Sequence, residues 1–113
     1  MRRGEVYDAR LDPVEGSEQG GTRPVVIVSR DAILGSSTVT SVMPFTTFRP
    51  QRKLYPSHVL VRAPEGGLTA DSVALAEQTR VLSKARLLRF RGTMSQETMS
   101  QLGRALRIAF DLD

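Results

Sequence analysis

The sequence contains no cysteine, a single histidine and no apolar run long enough to cross a membrane. Without cysteine the chain has no disulfide and no thiolate metal site, and cysteine usage says nothing about its redox compartment. A signal-peptide pattern is also absent from the N-terminus, so we expect a cytoplasmic protein with no membrane partner. Because the 113 residues show no repeat, low-complexity tract or linker, we expect one domain over residues 1–113.

Positive charge is the most informative feature of the composition. Sixteen Lys and Arg residues against twelve Asp and Glu residues give a net charge of +4, and fourteen of the sixteen are arginine. The planar arginine side chain suits phosphate groups and base edges better than lysine does. A GC-rich genome also enriches arginine, so composition alone leaves a nucleic-acid partner undecided.

Alternating or β-branched apolar residues predict a series of short strands. Residues 4–11 alternate polar with apolar side chains, and the β-branched run within 24–29 is typical of a buried strand. A third strand over 37–43 is expected to end at Pro44. The remaining predicted strands cover residues 58–62, 72–76 and 86–92, and one short helical turn covers 31–35.

The C-terminal segment changes to a helical period. From Ser95 onwards the apolar residues recur at close to helical spacing, and Ser95 itself suits the N-cap. Met94 and Met99 are placed to form a hydrophobic staple, and Phe110 is expected to be buried as part of the apolar face. Short strands ahead of one closing helix predict a mostly β fold with α structure (α+β), a small antiparallel barrel with the helix packed on it.

Two polar loops are the expected places for a functional site, because loops on a rigid sheet commonly carry chemistry. The first covers residues 12–22 and contains three glycines within six residues, which allow tight turns and close approach to a ligand. Arg23 stands where this loop meets the second strand. The second loop, residues 45–57, carries threonine, aromatic and basic side chains that suit phosphate contact and base stacking.

Five motifs fall in order along the chain. The first is Arg3-Gly4-Glu5-Val6-Tyr7, and the second is Gly-Ser-Glu-Gln-Gly-Gly at residues 16–21 with Arg23-Pro24. Thr46-Thr47, then Asp71-Ser72-Val73 with Glu77-Gln78, and finally the start of the last helix at residues 93–99 follow. In these motifs, over nearly its full length, the chain resembles toxin endoribonucleases of the MazF/PemK type. The resemblance implies an SH3-like barrel that forms a homodimer and cleaves single-stranded RNA without a metal or other cofactor. It also implies a cognate antitoxin whose acidic tail covers the RNA groove, with DNA contacted only through that antitoxin.

Carried over residue by residue, the resemblance gives a catalytic set and an RNA-binding set. Arg23 and Thr46 match the family's catalytic arginine and threonine, and Glu18 matches a glutamate of the site loop. The expected RNA-binding residues, drawn from the matched groove positions and from the second loop, are Ser17, Gln19, Thr47, Phe48, Arg52, Lys53, Ser72, Glu77 and Gln78. The second loop departs from the family pattern after its threonines, so the recognised RNA sequence stays open.

Metal-free RNA cleavage uses the substrate's 2′-hydroxyl as the nucleophile and gives a 2′,3′-cyclic phosphate and a 5′-hydroxyl. An arginine is essentially never deprotonated, so we assign Arg23 to charge stabilisation or leaving-group protonation and not to the base. Thr46 offers a neutral hydroxyl to another phosphate oxygen, and Glu18 is the candidate base or the partner that orients Arg23. His58, the only histidine, cannot supply a two-imidazole mechanism.

Two alternatives from other functional classes stay open at this point. One is a non-catalytic barrel toxin that binds a protein target such as DNA gyrase, a type that ends its helix in an exposed aromatic residue. The expected burial of Phe110 argues against it. The other is an inactive barrel that binds only RNA or a protein partner. Taken singly, Glu18, Arg23 and Thr46 are typical of turns and strand ends, and only their joint motif favours a site.

Overall fold

The computed structural model describes all residues, 1–113, and contains seven strands and two α-helices. In chain order the elements are β1 (Glu5–Arg10), β2 (Thr22–Ile27), α1 (Asp31–Leu34), β3 (Val39–Thr47), β4 (His58–Val61), β5 (Ser72–Leu75), β6 (Arg80–Ser83), β7 (Leu87–Thr93) and α2 (Gln96–Ala109). Three short 3₁₀ turns cover Glu65–Gly67, Ala76–Gln78 and Lys84–Arg86. No helix is long and apolar enough to cross a membrane.

All strand pairs are antiparallel. The sheet follows the order β4-β5-β3-β2-β1-β7, and β6 pairs with β3 beside this path. With α2 as the long closing helix, the structure confirms the mostly antiparallel β fold that the sequence predicts.

Two apolar cores lie on opposite faces of the sheet. Strand β2 shows this directly, because Val26 packs in the core that includes α2 whereas Val25 and Ile27 pack in the second core. Leu102 of α2 is fully buried in the first core. The strands are therefore fixed from both faces, which gives the loops at their ends a rigid base.

Strand β3 is longer than the sequence predicts. It does not end at Pro44 but pairs with β2 through Val42–Pro44 and then with β5 through Phe45–Thr47. Proline has no N–H to donate to a strand ladder, and Pro44 is tolerated because it forms the last pair with β2, where β3 changes partners. Thr46 and Thr47 therefore lie on a paired strand and not in a loop.

Strand β6 is not predicted from the sequence. It pairs with Val39–Val42 in the first half of β3. Its alternation is present, since Leu82 is buried and Val81 is exposed, but it covers only four residues between polar neighbours. A pattern this short does not stand out from a loop.

Helix α2 begins as predicted and ends differently. The Ser95 hydroxyl oxygen accepts a hydrogen bond from the Thr98 backbone N–H at 3.1 Å, and Met94 and Met99 both pack on the first core. The expected burial of Phe110 is wrong, because 50% of its surface is exposed. The helix has ended one residue earlier, and the non-helical backbone of Phe110 removes its ring from the apolar face.

Replacing Leu102 with alanine tests the first core. We expect Leu102→Ala to lower the free energy of unfolding by about 2–5 kcal/mol, because a fully buried side chain is lost and a cavity remains. Ile108→Ala is the matched control on the same helix, since 55% of Ile108 is exposed, and its effect should be about 1 kcal/mol or less. Urea unfolding measures both, and equal effects would contradict the described packing of α2.

Candidate functional site

Arg23 stands on β2 with its guanidinium partly immobilised. Its Nε donates a hydrogen bond to the Gly20 carbonyl oxygen at 2.7 Å. This bond attaches the side chain to the end of the first loop, residues 12–22, which we call the glycine loop. The two terminal nitrogens make no hydrogen bond or ion pair within the chain. A guanidinium fixed through Nε, with its terminal fork free, is arranged to donate to an anionic oxygen.

Thr46 lies at the same end of the sheet as Arg23. Arg23 continues the alternation of Val25 and Ile27, and Thr46 continues that of Val42, so both belong to the face of the second core. A cavity of about 290 Å³ opens where these strands end. The predicted site residues that line it are Arg23, Thr46, Thr47 and Ser72.

An ion-pair network missed by the sequence analysis lines the same cavity. Arg91 of β7 donates to Asp8 Oδ1 at 2.8 Å and to the Gly67 carbonyl oxygen at 2.7 Å. The Arg89 Nε lies 3.4 Å from the other carboxylate oxygen of Asp8. Asp8 and Arg91 are 83 positions apart in sequence, so no local pattern could have indicated their contact. Asp8 and Arg91 therefore line the cavity as a hydrogen-bonded ion pair whose opposite charges compensate each other.

Glu18 is not where the sequence analysis expects it. Its Oε1 accepts a hydrogen bond from the Glu15 backbone N–H at 2.8 Å, and its own N–H donates to the Glu15 carbonyl oxygen at 3.2 Å. The carboxylate makes no contact with Arg23, whose Nε is taken by Gly20. The structure therefore shows no contact through which Glu18 orients Arg23, and the carboxylate instead closes a local turn with the Glu15 N–H.

Gln78 contacts the glycine loop from a distant part of the chain. Its Oε1 accepts a hydrogen bond from the Gln19 backbone N–H at 2.8 Å, and its Nε2 donates to the Ser17 carbonyl oxygen at 3.3 Å. The Asp12 carboxylate accepts from the Gly21 N–H at 3.0 Å. The loop is thus bound to the folded body along most of its length, and Ser17 and Gln19 contribute main-chain groups to that attachment.

Glu77, beside Gln78, binds the end of the second loop. Its carboxylate accepts hydrogen bonds from the Ser57 hydroxyl and from His58 Nε2, each at 3.0 Å. His58 Nδ1 accepts from the Tyr55 N–H at 3.2 Å, so Nε2 is the protonated nitrogen of a neutral imidazole. Partial burial raises the pKa of Glu77, but its own backbone N–H, His58 and Ser57 outweigh burial and lower it below the ordinary 4.5.

The basic and aromatic residues of the second loop lie outside the cavity. The Arg62 guanidinium stacks 5.8 Å from the Phe48 ring centre, and the Lys53 ammonium lies 5.2 Å from that of Tyr55. Arg52 Nε is buried without a hydrogen-bond partner. The structure therefore does not bring Phe48, Arg52 or Lys53 to Arg23, and any contact of theirs with RNA lies further along the surface.

A larger cavity lies elsewhere on the molecule. About 1190 Å³ lies between the N-terminal residues and α2, with Arg2, Arg3, Arg104 and Arg107 among its lining residues. None of the catalytic or RNA-binding residues predicted from the sequence lines it. Cavity size alone does not identify a site, and the smaller cavity is the candidate because it collects the motif residues.

Known proteins resemble this chain over its whole length. The model of a family described as PemK-like, MazF-like toxin of type II toxin–antitoxin system matches residues 2–110. The chain is 41% identical over 117 residues to endoribonuclease MazF9 of Mycobacterium tuberculosis (strain ATCC 25618 / H37Rv), with 99% of this chain and 98% of the relative covered. The similarity to the family and to this relative therefore extends beyond the site motifs to nearly the whole chain.

Solved structures share the fold. An endoribonuclease in complex with its cognate antitoxin from a mycobacterial species has a TM-score of 0.82 at 26% identity, covering 100% of this chain and 97% of that chain. The Mycobacterium tuberculosis toxin MazF-mt6 has a TM-score of 0.80 at 28% identity, covering 96% and 98%. MazF from Deinococcus radiodurans, at 24% identity with 99% and 97% covered, supports the fold alone with a TM-score of 0.83.

The Glu77 contacts predict a pH-dependent contribution to stability. Because the folded-state pKa is lowered, this contribution is fully present above 4.5 and is lost as the pH falls through the lowered pKa. We expect Glu77→Gln to lower the free energy of unfolding by about 1 kcal/mol at neutral pH, a modest value because the carboxylate is partly exposed. The difference from the native protein should shrink below pH 4.5.

Urea unfolding at neutral and acidic pH measures this difference. Glu15→Gln is the matched control, because the Glu15 side chain makes no hydrogen bond and only its backbone contacts Glu18. A Glu77→Gln protein as stable as the native one at neutral pH would contradict the described network.

Proposed function

The chain belongs to the PemK-like, MazF-like toxins of type II toxin–antitoxin systems, and from this premise we propose that it is an endoribonuclease that cleaves single-stranded RNA. The observation that carries the proposal is the cavity lined by both Arg23, whose terminal nitrogens are free, and Thr46. The name of the endoribonuclease relative supports the same reaction class.

The proposed reaction is attack by the substrate's own 2′-hydroxyl on the adjacent phosphorus, without a metal ion. The P–O bond to the 5′ oxygen of the next nucleotide breaks, leaving a 2′,3′-cyclic phosphate and a 5′-hydroxyl. Charge accumulates on the non-bridging oxygens as the phosphorane forms. Arg23 donates charge-assisted hydrogen bonds to these oxygens, Thr46 donates a neutral one, and donors already in place stabilise the developing charge most effectively.

We assign the removal of the 2′ proton to Glu18. Its carboxylate is exposed and makes a single hydrogen bond, to the Glu15 N–H within the same turn. Substrate can replace that bond, because the turn is flanked by Gly16 and Gly21, whose φ of +59° and +71° lies in the region that glycine adopts without strain. Arg23 then stabilises the charge that develops on the leaving oxygen, and that oxygen takes its proton from solvent water.

An antitoxin and a second copy of the chain are the proposed protein partners, with DNA reached only through the antitoxin and the activity placed in the cytoplasm. The antitoxin is supported by the related endoribonuclease solved with its cognate antitoxin. A homodimer is supported by Leu88 and Phe90, which expose 54% and 53% of their surface on β7. Strand β7 ends the sheet and pairs only with β1, so this apolar row is open to a partner.

The gyrase-binding alternative gains one observation, the exposure of Phe110. It leaves the free guanidinium of Arg23 and its cavity without a purpose. Incubation with gyrase and DNA separates the two functions, since a gyrase-directed toxin would produce gyrase-dependent DNA breaks and no RNA products. We expect RNA products and no such breaks.

Removal of the Arg23 side chain should abolish most of the cleavage. We expect Arg23→Ala to lower kcat/KM about 10²–10³-fold and Thr46→Val to lower it less, because each removes a donor to the charged phosphorane. Both proteins should keep a melting temperature near that of the native protein. Arg30→Ala, at an exposed arginine beyond the opposite end of β2, is the control and should cleave normally.

The nucleophile is tested with the substrate. An RNA carrying a 2′-deoxy sugar at the scissile nucleotide should resist cleavage in EDTA, whereas the all-ribose RNA is cut in EDTA to a cyclic-phosphate end identified by mass spectrometry. Cleavage of the deoxy substrate, or dependence of all-ribose cleavage on added metal, would overturn this mechanism.

The dimer face is tested at Phe90. We expect Phe90→Asp to convert a dimer to a monomer in analytical ultracentrifugation, because an unpaired charge would be buried at the interface. Phe110→Asp, which changes an equally exposed aromatic residue elsewhere, should leave the dimer intact. A Phe90→Asp dimer of native affinity would contradict the assignment of this face.

A further inference from the structure

The side chain of Gln78 contacts both neighbours of Glu18. Its Oε1 accepts from the Gln19 N–H at 2.8 Å and its Nε2 donates to the Ser17 carbonyl oxygen at 3.3 Å. These contacts join residues 59 and 61 positions apart, so they are made by the fold and not by local turn geometry. The two peptide groups that flank the Glu18 Cα are therefore both hydrogen-bonded to the side-chain amide of Gln78.

Gln78 is itself carried on a fixed turn. Ala76, at the start of the Ala76–Gln78 turn, is fully buried, and its N–H donates to the Ser57 carbonyl oxygen at 3.1 Å. The neighbouring Glu77 carboxylate binds Ser57 and His58. A turn bound in this way to the core and to the end of the second loop provides a rigid support for the more adaptable glycine loop.

The position of Gln78 does not fit direct contact at the scissile phosphate. Both polar atoms of its side-chain amide are already hydrogen-bonded to the loop backbone. The Gly20 carbonyl oxygen, two residues after Glu18, is bound by Arg23 Nε at 2.7 Å. Glu18 therefore lies in a short segment that is bound by Gln78 at Ser17 and Gln19 and by Arg23 at Gly20.

We propose that Gln78 is a positioning residue that sets the place of the Glu18 carboxylate relative to Arg23. Without these contacts, the flexibility of the surrounding glycines would let the loop sample many conformations in which Glu18 is distant from the 2′-hydroxyl. The proposal rests on the proposed function of Glu18, and it replaces the expectation that Gln78 binds RNA directly.

Amide hydrogen exchange in the RNA-free protein tests the contact independently of catalysis. In Gln78→Ala the Gln19 amide, which loses its acceptor, should exchange at least about tenfold faster, as expected when a hydrogen bond of roughly 1.4 kcal/mol is lost. The Gly21 amide is an internal reference, because its acceptor is Asp12. Gln96→Ala, at an exposed glutamine on α2 with no side-chain hydrogen bond, is the matched control.

A double-mutant cycle tests the functional consequence. We expect Gln78→Ala to lower kcat roughly 10- to 100-fold with KM changed little and with the same RNA sequence cleaved, because a misplaced group lowers the rate more than the affinity. In a Glu18→Gln background, the same substitution should have almost no further effect on kcat, since the group that it positions is already inactive. Gln96→Ala should be silent in both backgrounds.

A second variant guards against a simple folding defect. Gln78→Glu keeps an oxygen that can accept from the Gln19 N–H but faces the Ser17 carbonyl oxygen with another acceptor. It should retain the Gln19 protection and most of the fold, with kcat between those of the native protein and Gln78→Ala.

Three results would overturn the proposal. Unchanged Gln19 exchange in Gln78→Ala would show that the contact does not order the loop, whether or not the protein cleaves RNA. An altered cleavage sequence with unaltered exchange would make Gln78 a base reader. If the effects of Gln78→Ala and Glu18→Gln on kcat were fully additive while the native protein cleaved RNA normally, Gln78 would act independently of Glu18. The proposed ribonuclease function would then still stand.

Discussion

The exchange of partners by β3 at Pro44 is the constraint on which the site depends. Through this exchange one strand pairs first with β2, which carries Arg23, and then with β5, so Thr46 is fixed by main-chain hydrogen bonds at the end of the same sheet. Charge stabilisation by donors is effective when they need not reorganise as the charge develops. A guanidinium and a hydroxyl carried on paired strands meet that requirement, whereas two flexible loops would not.

The other half of the site is built differently. The glycine loop has no strand partner between residues 12 and 21. The Gln78 side chain from a distant turn binds its main-chain groups instead, and Asp12 binds the Gly21 N–H within the loop. Gln78 binds the backbone on both sides of Glu18, and Arg23 binds the Gly20 carbonyl oxygen two residues further along the loop. Charge stabilisation is thus assigned to residues on strands, and proton transfer to a residue whose loop is bound but not paired.

Local patterns predicted most of the fold. Two-residue alternation predicted β1, a run of β-branched residues predicted β2, and helical spacing after Ser95 predicted α2. The four residues of β6 were too few for a period to appear. Pro44 was expected to end a strand, since tolerance of a missing N–H depends on a partner change that only the assembled sheet defines. Phe110 was misplaced because helix termination removed it from the apolar face.

The candidate site was predictable only in part for the same reason. The motifs named Arg23 and Thr46, and the fold brings both to one cavity. The motifs could not show that Glu18 bonds to Glu15, or that Asp8 meets Arg91 across 83 positions, because such contacts follow from three-dimensional packing.

The central claim is that the scissile phosphate binds between Arg23 and Thr46. A crystal structure of the protein with an RNA made uncleavable by a 2′-deoxy sugar at the scissile nucleotide tests it most directly. We predict that a non-bridging oxygen of that phosphate lies within hydrogen-bond distance of the Arg23 terminal nitrogens and of Thr46 Oγ1. A scissile phosphate bound instead in the arginine-lined cavity beside α2, with Arg23 free, would contradict the account.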